Sequence, residues 1–543
     1  MIRRAAPLLV AIAAFLALAD TGIVALALPP ILLELDTTVS GAAAVLGVYA
    51  VVLAAALPVA VRVARPRPAQ VGIGGLALFG AASLGCGLAD SLPLLLVLRG
   101  AQAAGGAAVL VAAFPLLAGG EGRDRLWRHA ALLGTAAGPA LGGTLTQAFG
   151  WRSIFIVQAL LVPLLLAGFR GARPVPQPAQ PPVARDARAG AALVLLSGAL
   201  AAALFLSVLL LVNGWSIEPL AAAAAVSLLP LAAVAGTLLG GPPRARAAAG
   251  ALLLATGTAC LAFLPTASVS WILLPQALAG LGMGLALPAL AGELLPQRDQ
   301  GDAARLLTLR HAGIALALVL LAPVLTDRLD TEVENAKEKG AALILDAELP
   351  PQDKLKLTPE LAGAVKSDDP RDDLRKEFDK YRPRVAEDDR GAFEELRRRA
   401  DETLVGGVNE GFALAFLIGG GLALLAGGLL WRGLPARLAA LAAIAAIAVP
   451  AAFALATESS RPPPVEIADP CEGRALPGTG GLLGLAQDAA LVALDRAACD
   501  AGSSREELVL ALVDDDEAER YEREHGVDPR DVLDLIGAAL DGG

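Results

Sequence analysis

The sequence predicts an all-α membrane protein with two blocks of six membrane-crossing helices, a thirteenth such helix, and two charged helical additions. Three observations predict it. Of 543 residues, 55% are hydrophobic and 18% charged, with a mean hydropathy of +0.61. Ordinary soluble domains are roughly 45–50% apolar and about 25% charged. Apolar runs long enough to cross a bilayer, about 20 residues each, recur about thirteen times. Arginines cluster in alternate connections between these runs, as topology requires of a multi-pass chain.

The runs lie near 7–31, 40–61, 70–89, 92–118, 129–149, 153–169, 190–212, 219–240, 247–265, 270–291, 306–326, 410–431 and 437–456. They divide the chain into a six-span block (1–170), a linker (171–189), five further spans (190–326), a charged segment (327–409), a twelfth span (410–431), a thirteenth (432–456) and a tail (457–543). The linker contains PVPQPAQPP, a stiff extended composition. The first run follows Arg3 and Arg4 and is interrupted by Asp20. It is too long and too polar at that point for a cleavable signal, so a retained span is expected.

Orientation follows from the arginines. Arg3 and Arg4, then Arg62, Arg65 and Arg67, then Arg123, Arg125 and Arg128, then Arg170, Arg173, Arg185 and Arg188 fall on one side. Arg244, Arg246, Arg298, Arg305, Arg432 and Arg437 continue the series. The opposite short loops carry neither Lys nor Arg except Arg152. The positive-inside bias places the amino terminus in the cytoplasm, in a cell membrane, and span parity places 327–409 and the tail outside. Trp127, Trp151, Trp215, Trp271 and Trp431 fall at span ends, where an interfacial aromatic belt is expected.

The most informative stretch is LGTAAGPALGGTL, Leu133 to Leu145. Gly134, Gly138 and Gly142 recur every fourth residue and share one helix face. Such a face admits a second helix to backbone contact. Pro139 removes a backbone donor, so a bend is expected there. Together with Gly143 and the following Trp151-Arg152-x-x-Phe155, this stretch resembles the antiporter motif on the fifth helix of major facilitator superfamily drug:proton exporters. The resemblance implies the major facilitator fold, two six-helix halves around a cytoplasmic linker. Asn213-Gly214-Trp215-Ser216 and the glycines Gly280, Gly282 and Gly284 with Pro288 resemble second-half features of the same family.

Ionisable residues inside spans are costly and are functional candidates by default. Asp20 lies near the middle of span one, in Asp20-Thr21-x-Ile23-Val24-x-x-Ala27-Leu28-Pro29, which resembles the family's first-helix motif. Two readings stand: a proton carrier whose neutral form burial favours, or a carboxylate held permanently by a helix donor. Arg99 and Gln102, with Gly105 and Gly106, resemble the fourth-helix Arg-x-x-Gln-Gly motif, with Ala103 in place of Gly. Arginine keeps its proton, so Arg99 either biases a neighbouring acid or snorkels to an interface. Arg310 and His311 open span eleven, as a titrating pair or simply as boundary residues. Glu34 and Glu218 sit at outer span ends, where solvation is expected.

One family motif is eroded. The loop between spans two and three reads Val61-Arg62-Val63-Ala64-Arg65-Pro66-Arg67-Pro68, with Val61 and Arg65 where the family has Gly and Asp. The resemblance implies that this Asp helps to lock one access state, so its loss puts gating and strict antiport in question.

The segment 327–409 contains DLRKEFDKY and AFEELRRRADETL, which read as amphipathic helices with few large apolar residues. A helical hairpin or cap without a core of its own is expected, or else a flexible charged linker. The tail begins SSRPPPVEIADP and continues with helical stretches ending in PRDVLDLIGAAL. It holds Cys471 and Cys499, which either pair outside the cytoplasm or remain free thiols. Cys86 and Cys260 lie inside apolar runs as small core residues.

Several classes are excluded. The net charge of −10 arises mostly in the late polar segments, and no basic stripe with interleaved aromatics points to nucleic acid. Three histidines and the lack of any Gly-x-Ser-x-Gly, His-Glu-x-x-His or P-loop spacing argue against hydrolysis and against an ATP-driven pump. No cofactor or metal is expected. By resemblance, the expected function is proton-coupled export of small amphipathic, drug-like molecules. The partners are substrate, protons and the lipid bilayer, with a possible extracytoplasmic protein partner. Two alternatives stand: an exporter of a lipid or envelope precursor, and a non-transporting scaffold or sensor acting through its outer additions. Uptake in place of export is also open, because these motifs do not fix direction.

Overall fold

The computed structural model describes residues 2–117, 123–174, 186–365, 367, 369–431, 436–474, 476–477 and 481–531. Most of the proline-rich linker and residues 532–543 of the tail, which hold most of the expected PRDVLDLIGAAL stretch, therefore lie outside the described residues. Among the described residues there is no strand. Helices of the first half are α1 (Ile2–Ala25), α2 (Leu28–Glu34), α3 (Val39–Ala64), α4 (Pro68–Gly87), α5 (Leu92–Leu117), α6 (Arg123–Phe149) and α7 (Arg152–Gly171). The second half has α8 (Ala187–Leu209), α9 (Pro219–Val226), α10 (Leu228–Thr237), α11 (Pro243–Cys260), α12 (Val269–Pro288) and α13 (Gln300–Asp346). Then come α14 (Pro351–Val365), α15 (Pro370–Tyr381), α16 (Arg390–Leu430), α17 (Ala436–Glu458), α18 (Gly481–Ala501), α19 (Arg505–Val513) and α20 (Asp515–His525).

Twelve of these segments, among the described residues, are long and apolar enough to cross a membrane. The remaining expected span, 129–149, falls in α6. The chain divides into two units. The membrane unit comprises Met1–Asn213, Ile217–Asp327 and Phe412–Ser459. The polar unit comprises Gly214–Ser216, Arg328–Gly411 and Ser460–Gly543.

In the membrane unit, missing side chains set the helix spacing. An added Cβ at Gly105 would stand 2.6 Å from the Gly75 carbonyl oxygen, which brings α5 onto α4. In the second half, a Cβ at Gly282 would stand 2.4 Å from the Gly250 carbonyl oxygen, which brings α12 onto α11. The fourth span of each half thus packs on the third by the same device, one expression of an internal repeat. The halves also touch each other. Trp127 Nε1 donates to Gln297 Oε1 at 3.2 Å, and Gln300 Nε2 donates to the Val111 carbonyl at 2.8 Å. At another point Ser40 Oγ lies 3.5 Å from Thr326 Oγ1. The helix α17 packs on α11 and leaves Leu441, Ile444 and Ile447 exposed, an apolar face suited to lipid.

The polar unit corrects an expectation. Segment 327–409 is no coreless hairpin: Leu343, Ile344, Leu357, Leu374, Phe378 and Phe393 belong to one buried cluster. Hydropathy missed it because its helices are amphipathic and two continue from spans. Helix α13 runs 47 residues and α16 runs 41, well past the expected boundaries at 326 and 410. Charged pairs such as Lys337 with Glu334 and Arg398 with Glu402 sustain these extensions, because charge ends an apolar run without ending a helix. The tail belongs to the same unit, with a second small core of Ala498, Leu508, Ala511 and Tyr521. Lys337 Nζ reaches Glu517 Oε1 at 3.0 Å, and Arg505 reaches Asp346 at 2.8 Å, both tying tail to loop. A disulfide joins Cys471 to Cys499.

Trp215 departs from the interfacial expectation: it is buried in the polar unit and donates to Asn409 Oδ1 at 2.8 Å. Trp127 and Trp151 are also buried in protein, so three of the five expected belt residues are not lipid-facing.

Lys354 is buried and donates to the Leu345 carbonyl at 2.7 Å. Burial pushes its ammonium down to about 8 from an ordinary 10.5, with Asp346, Arg505 and Asp488 nearby. The unfolded chain therefore holds more protons than the fold between about pH 8 and 10.5, so this group makes stability rise with pH across that window. Thermal unfolding of wild type against Lys354→Met is expected to show the wild type gaining stability relative to the variant across that window. Parallel pH profiles would contradict it.

Candidate functional site

The site is assembled in the first half from α1, α3, α4, α5 and α7. Helix α1 carries Asp20, and its position is set by α6. A Cβ at Gly134 would stand 3.0 Å from the Phe15 carbonyl oxygen, one at Gly138 2.9 Å from the Gly22 Cα, and one at Gly142 2.1 Å from the Ile23 carbonyl oxygen. The glycine face of α6 therefore lies in backbone contact with the residues flanking Asp20. Gly143 faces the other way, toward Ala223 of α9, where a Cβ would stand 2.2 Å from the Ala223 Cβ. Pro139 lies within the same helix.

Asp20, Arg99 and Gln102 are all fully buried. Arg99 Nη1 stands 2.7 Å from Asp20 Oδ2. Its directed hydrogen bond goes to Gln102 Oε1, and Arg99 Nε donates to the Val45 carbonyl at 3.3 Å. Asp20 Oδ1 accepts from Gln158 Nε2 at 3.0 Å and from Gln102 Nε2 at 3.3 Å. Gln102 Nε2 also reaches Gln158 Oε1 at 2.7 Å and Ser83 Oγ at 2.8 Å. The Arg99 guanidinium lies 4.4 Å from the Tyr49 ring centroid and 5.6 Å from that of Phe155. Tyr49 in turn donates to the Ala17 carbonyl at 2.9 Å. The result is one buried ion pair in a cage of amides and rings. Breaking such a pair by removing one partner leaves an uncompensated charge.

Sequence reading missed Gln158, Ser83 and Tyr49. Each had a signal: Gln158 is the one polar residue between Ser153 and Arg170. Ser83 and Tyr49 are polar interruptions of otherwise apolar runs. What the sequence cannot show is that α3, α4 and α7 turn them toward one point.

The second half has a neutral counterpart. Gln276 Nε2 of α12 donates to Ser207 Oγ of α8 at 2.9 Å, both buried. The fourth span of each half thus offers an amide to the first, but among the described residues only the first half places a charge pair there. His311 on α13 is buried, with Nδ1 2.8 Å from the Leu307 carbonyl of its own helix, and Arg310 beside it is half-buried. His311 is thus enclosed by protein, while Arg310 keeps part of its surface open.

At the span ends, Arg152 pairs with Glu34 and its guanidinium lies 4.3 Å from the Trp151 ring centroid. That pairing accounts for the one arginine that broke the loop alternation, and Glu34 is partnered as well as part-exposed. In the polar unit, Glu507, Glu524 and His525 place three ligand-type atoms within 4.8 Å of one another, and His525 Nε2 is 3.0 Å from Glu507 Oε1. They are the described group with metal-ligand types in reach of one another.

Two like halves of membrane helices with, among the described residues of the spans, one buried Asp–Arg pair make up the membrane unit. The chain belongs to the Major Facilitator Superfamily, whose family model matches residues 10–318. It is 40% identical over 99 residues to the multidrug resistance protein Stp of Mycobacterium tuberculosis, covering 17% of this chain and 18% of that one. It is 43% identical over 98 residues to a lincomycin resistance protein of Streptomyces lincolnensis (17% and 20%). With the cephamycin export protein CmcT of Amycolatopsis lactamdurans the identity is 33% over 165 residues (29% and 34%). The chain thus spans only a fifth to a third of the length of these curated relatives. The fold is like that of a bacterial homolog of the human lysosomal transporter Spinster in an inward-facing, unoccupied conformation. The TM-score is 0.53 at 14% identity, over 79% of this chain and 98% of that one.

Proposed function

We propose that this carrier exports small amphipathic molecules by alternating access in exchange for protons, and that Asp20 is the proton site. The observation that carries the reading is the Asp20–Arg99 pair at 2.7 Å, buried among Gln102, Gln158 and Ser83. Arg99 keeps its charge throughout, so a proton arriving on Asp20 removes the ionic hold between α1 and α5. Two access states that differ in this hold are coupled to a proton without any further carrier. The glycine contact between α1 and α6 transmits a shift at Asp20 to α9 in the other half through Gly143. Arg310 and His311 are secondary candidates for the same path. Efflux relatives support drug-like cargo. The arginine alternation supports a cytoplasmic amino terminus and an extracytoplasmic polar unit, and the Cys471–Cys499 bond suits an oxidising compartment.

The test is reconstitution of the full chain in liposomes with an imposed proton gradient, following tetraphenylphosphonium and ethidium. Gradient-dependent accumulation that a protonophore collapses is the expected result. One observation favours a second reading: a polar unit with two cores of its own is more than a pump of small molecules needs. If a correctly folded protein moves neither cation, export of a lipid or envelope precursor, or a sensor role through that unit and a protein partner, takes precedence.

A further inference from the structure

We infer that the polar unit carries a second binding site, for an amphipathic organic cation, distinct from anything in the spans. A groove of about 310 Å³ lies between the last turns of α13, the first turns of α16 and the segment around Val465. That volume is at the lower end of the range for small-molecule sites, roughly 300–1,000 Å³. Its floor is apolar, made by Leu343, Ala347, Leu396 and Val465. Leu343 and Leu396 are themselves buried members of the unit's core, so the floor is rigid where an aromatic or alkyl body would rest.

The rim decides the sign of the occupant. Four carboxylates and one guanidinium line it: Asp346, Glu348, Glu395, Glu466 and Arg399. Asp346 pairs with Arg505, which Glu506 and Asp495 share, and Glu395 pairs with Arg398, which Glu402 shares. Glu348 and Glu466 make no ion pair among the described residues, and they outnumber Arg399 by one charge. An anion meets two uncompensated carboxylates there, and a neutral apolar molecule leaves them unused. A hydrophobic cation uses both the floor and the rim. These carboxylates are exposed, so they select charge while the floor supplies affinity.

The groove extends the export reading, on which its place in the transport path rests: it would receive cargo on the side of release. Binding itself does not depend on that reading. Equilibrium dialysis of tetraphenylphosphonium against the full chain in lipid nanodiscs tests it. We compare the wild type, Glu348→Gln with Glu466→Gln, Arg399→Gln, and Asp20→Asn with Arg99→Gln. The wild type is expected to show a class of sites that the double glutamate variant weakens up to about tenfold. Arg399→Gln is expected to tighten the same class, and the membrane double variant is expected to leave it unchanged. The substituted rim residues are surface groups, so the fold is retained, and an intact disulfide with a single sharp elution peak checks it. Coincident isotherms for the wild type and the glutamate variant overturn the proposal. So does a wild type whose whole binding disappears in the Asp20/Arg99 variant. Binding at the groove without gradient-driven flux supports this site and contradicts the export reading alone.

Discussion

Asp20→Asn is expected to abolish gradient-driven transport and to destabilise the protein. Asparagine fits the same space and still meets Gln102 and Gln158, but it offers Arg99 no charge. Arg99 is fully buried, so the variant leaves a guanidinium without a counter-ion. Removing one partner of a buried pair costs about 3–5 kcal/mol. Loss of transport alone would then be ambiguous, because a damaged fold also transports nothing. Asp20→Asn combined with Arg99→Gln resolves this. With both charges gone the cage is a network of amides, and unfolding in detergent should return close to wild type while transport stays absent. Recovery of transport in the double variant would make the pair a structural clamp and leave proton coupling to another group.

Gly142→Ala is the second large effect. The new methyl would stand 2.1 Å from the Ile23 carbonyl oxygen, in backbone that cannot turn aside as a side chain could. Over-packing costs typically about 1–3 kcal/mol, and a backbone neighbour places this case at the upper end. The helix α1 would be pushed off α6, three residues from Asp20. Gly47→Ala is the control, because a Cβ there meets nothing within 4 Å. It should gain helix propensity, about 1 kcal/mol. Thermal unfolding in detergent is expected to move in opposite directions for the two variants. A shift of equal size and sign would mean that the glycine face does not set the α1–α6 distance.

The span pattern was legible because a bilayer imposes a long apolar run on every crossing helix, and charge cannot intrude on it without reason. Asp20 and Arg99 were legible on the same ground, and Gln102 only through the fourth-helix motif it resembles. Their grouping was not, because it depends on which face of α1 and α5 turns inward. Gln158 and Ser83 were hidden for that reason: a single polar residue in a span has no visible partner until the helices are packed. The polar unit was the least legible part. Its core is built from single apolar residues such as Leu343, Phe378 and Phe393, spaced along charged helices. Hydropathy averages such residues away. The run boundary near 326 also concealed that α13 continues to Asp346. Trp215 shows the same limit, since an indole at a span end reads as an interface anchor until Asn409 is found beside it.

The central claim is that Asp20 carries the proton exchanged for cargo. The most direct measurement is the pH inside sealed liposomes, read with an enclosed dye, as tetraphenylphosphonium is added outside without any imposed gradient. Wild-type protein is expected to move protons opposite to the cation, and Asp20→Asn with Arg99→Gln is expected to move none. An equal proton signal from the double variant would contradict the account.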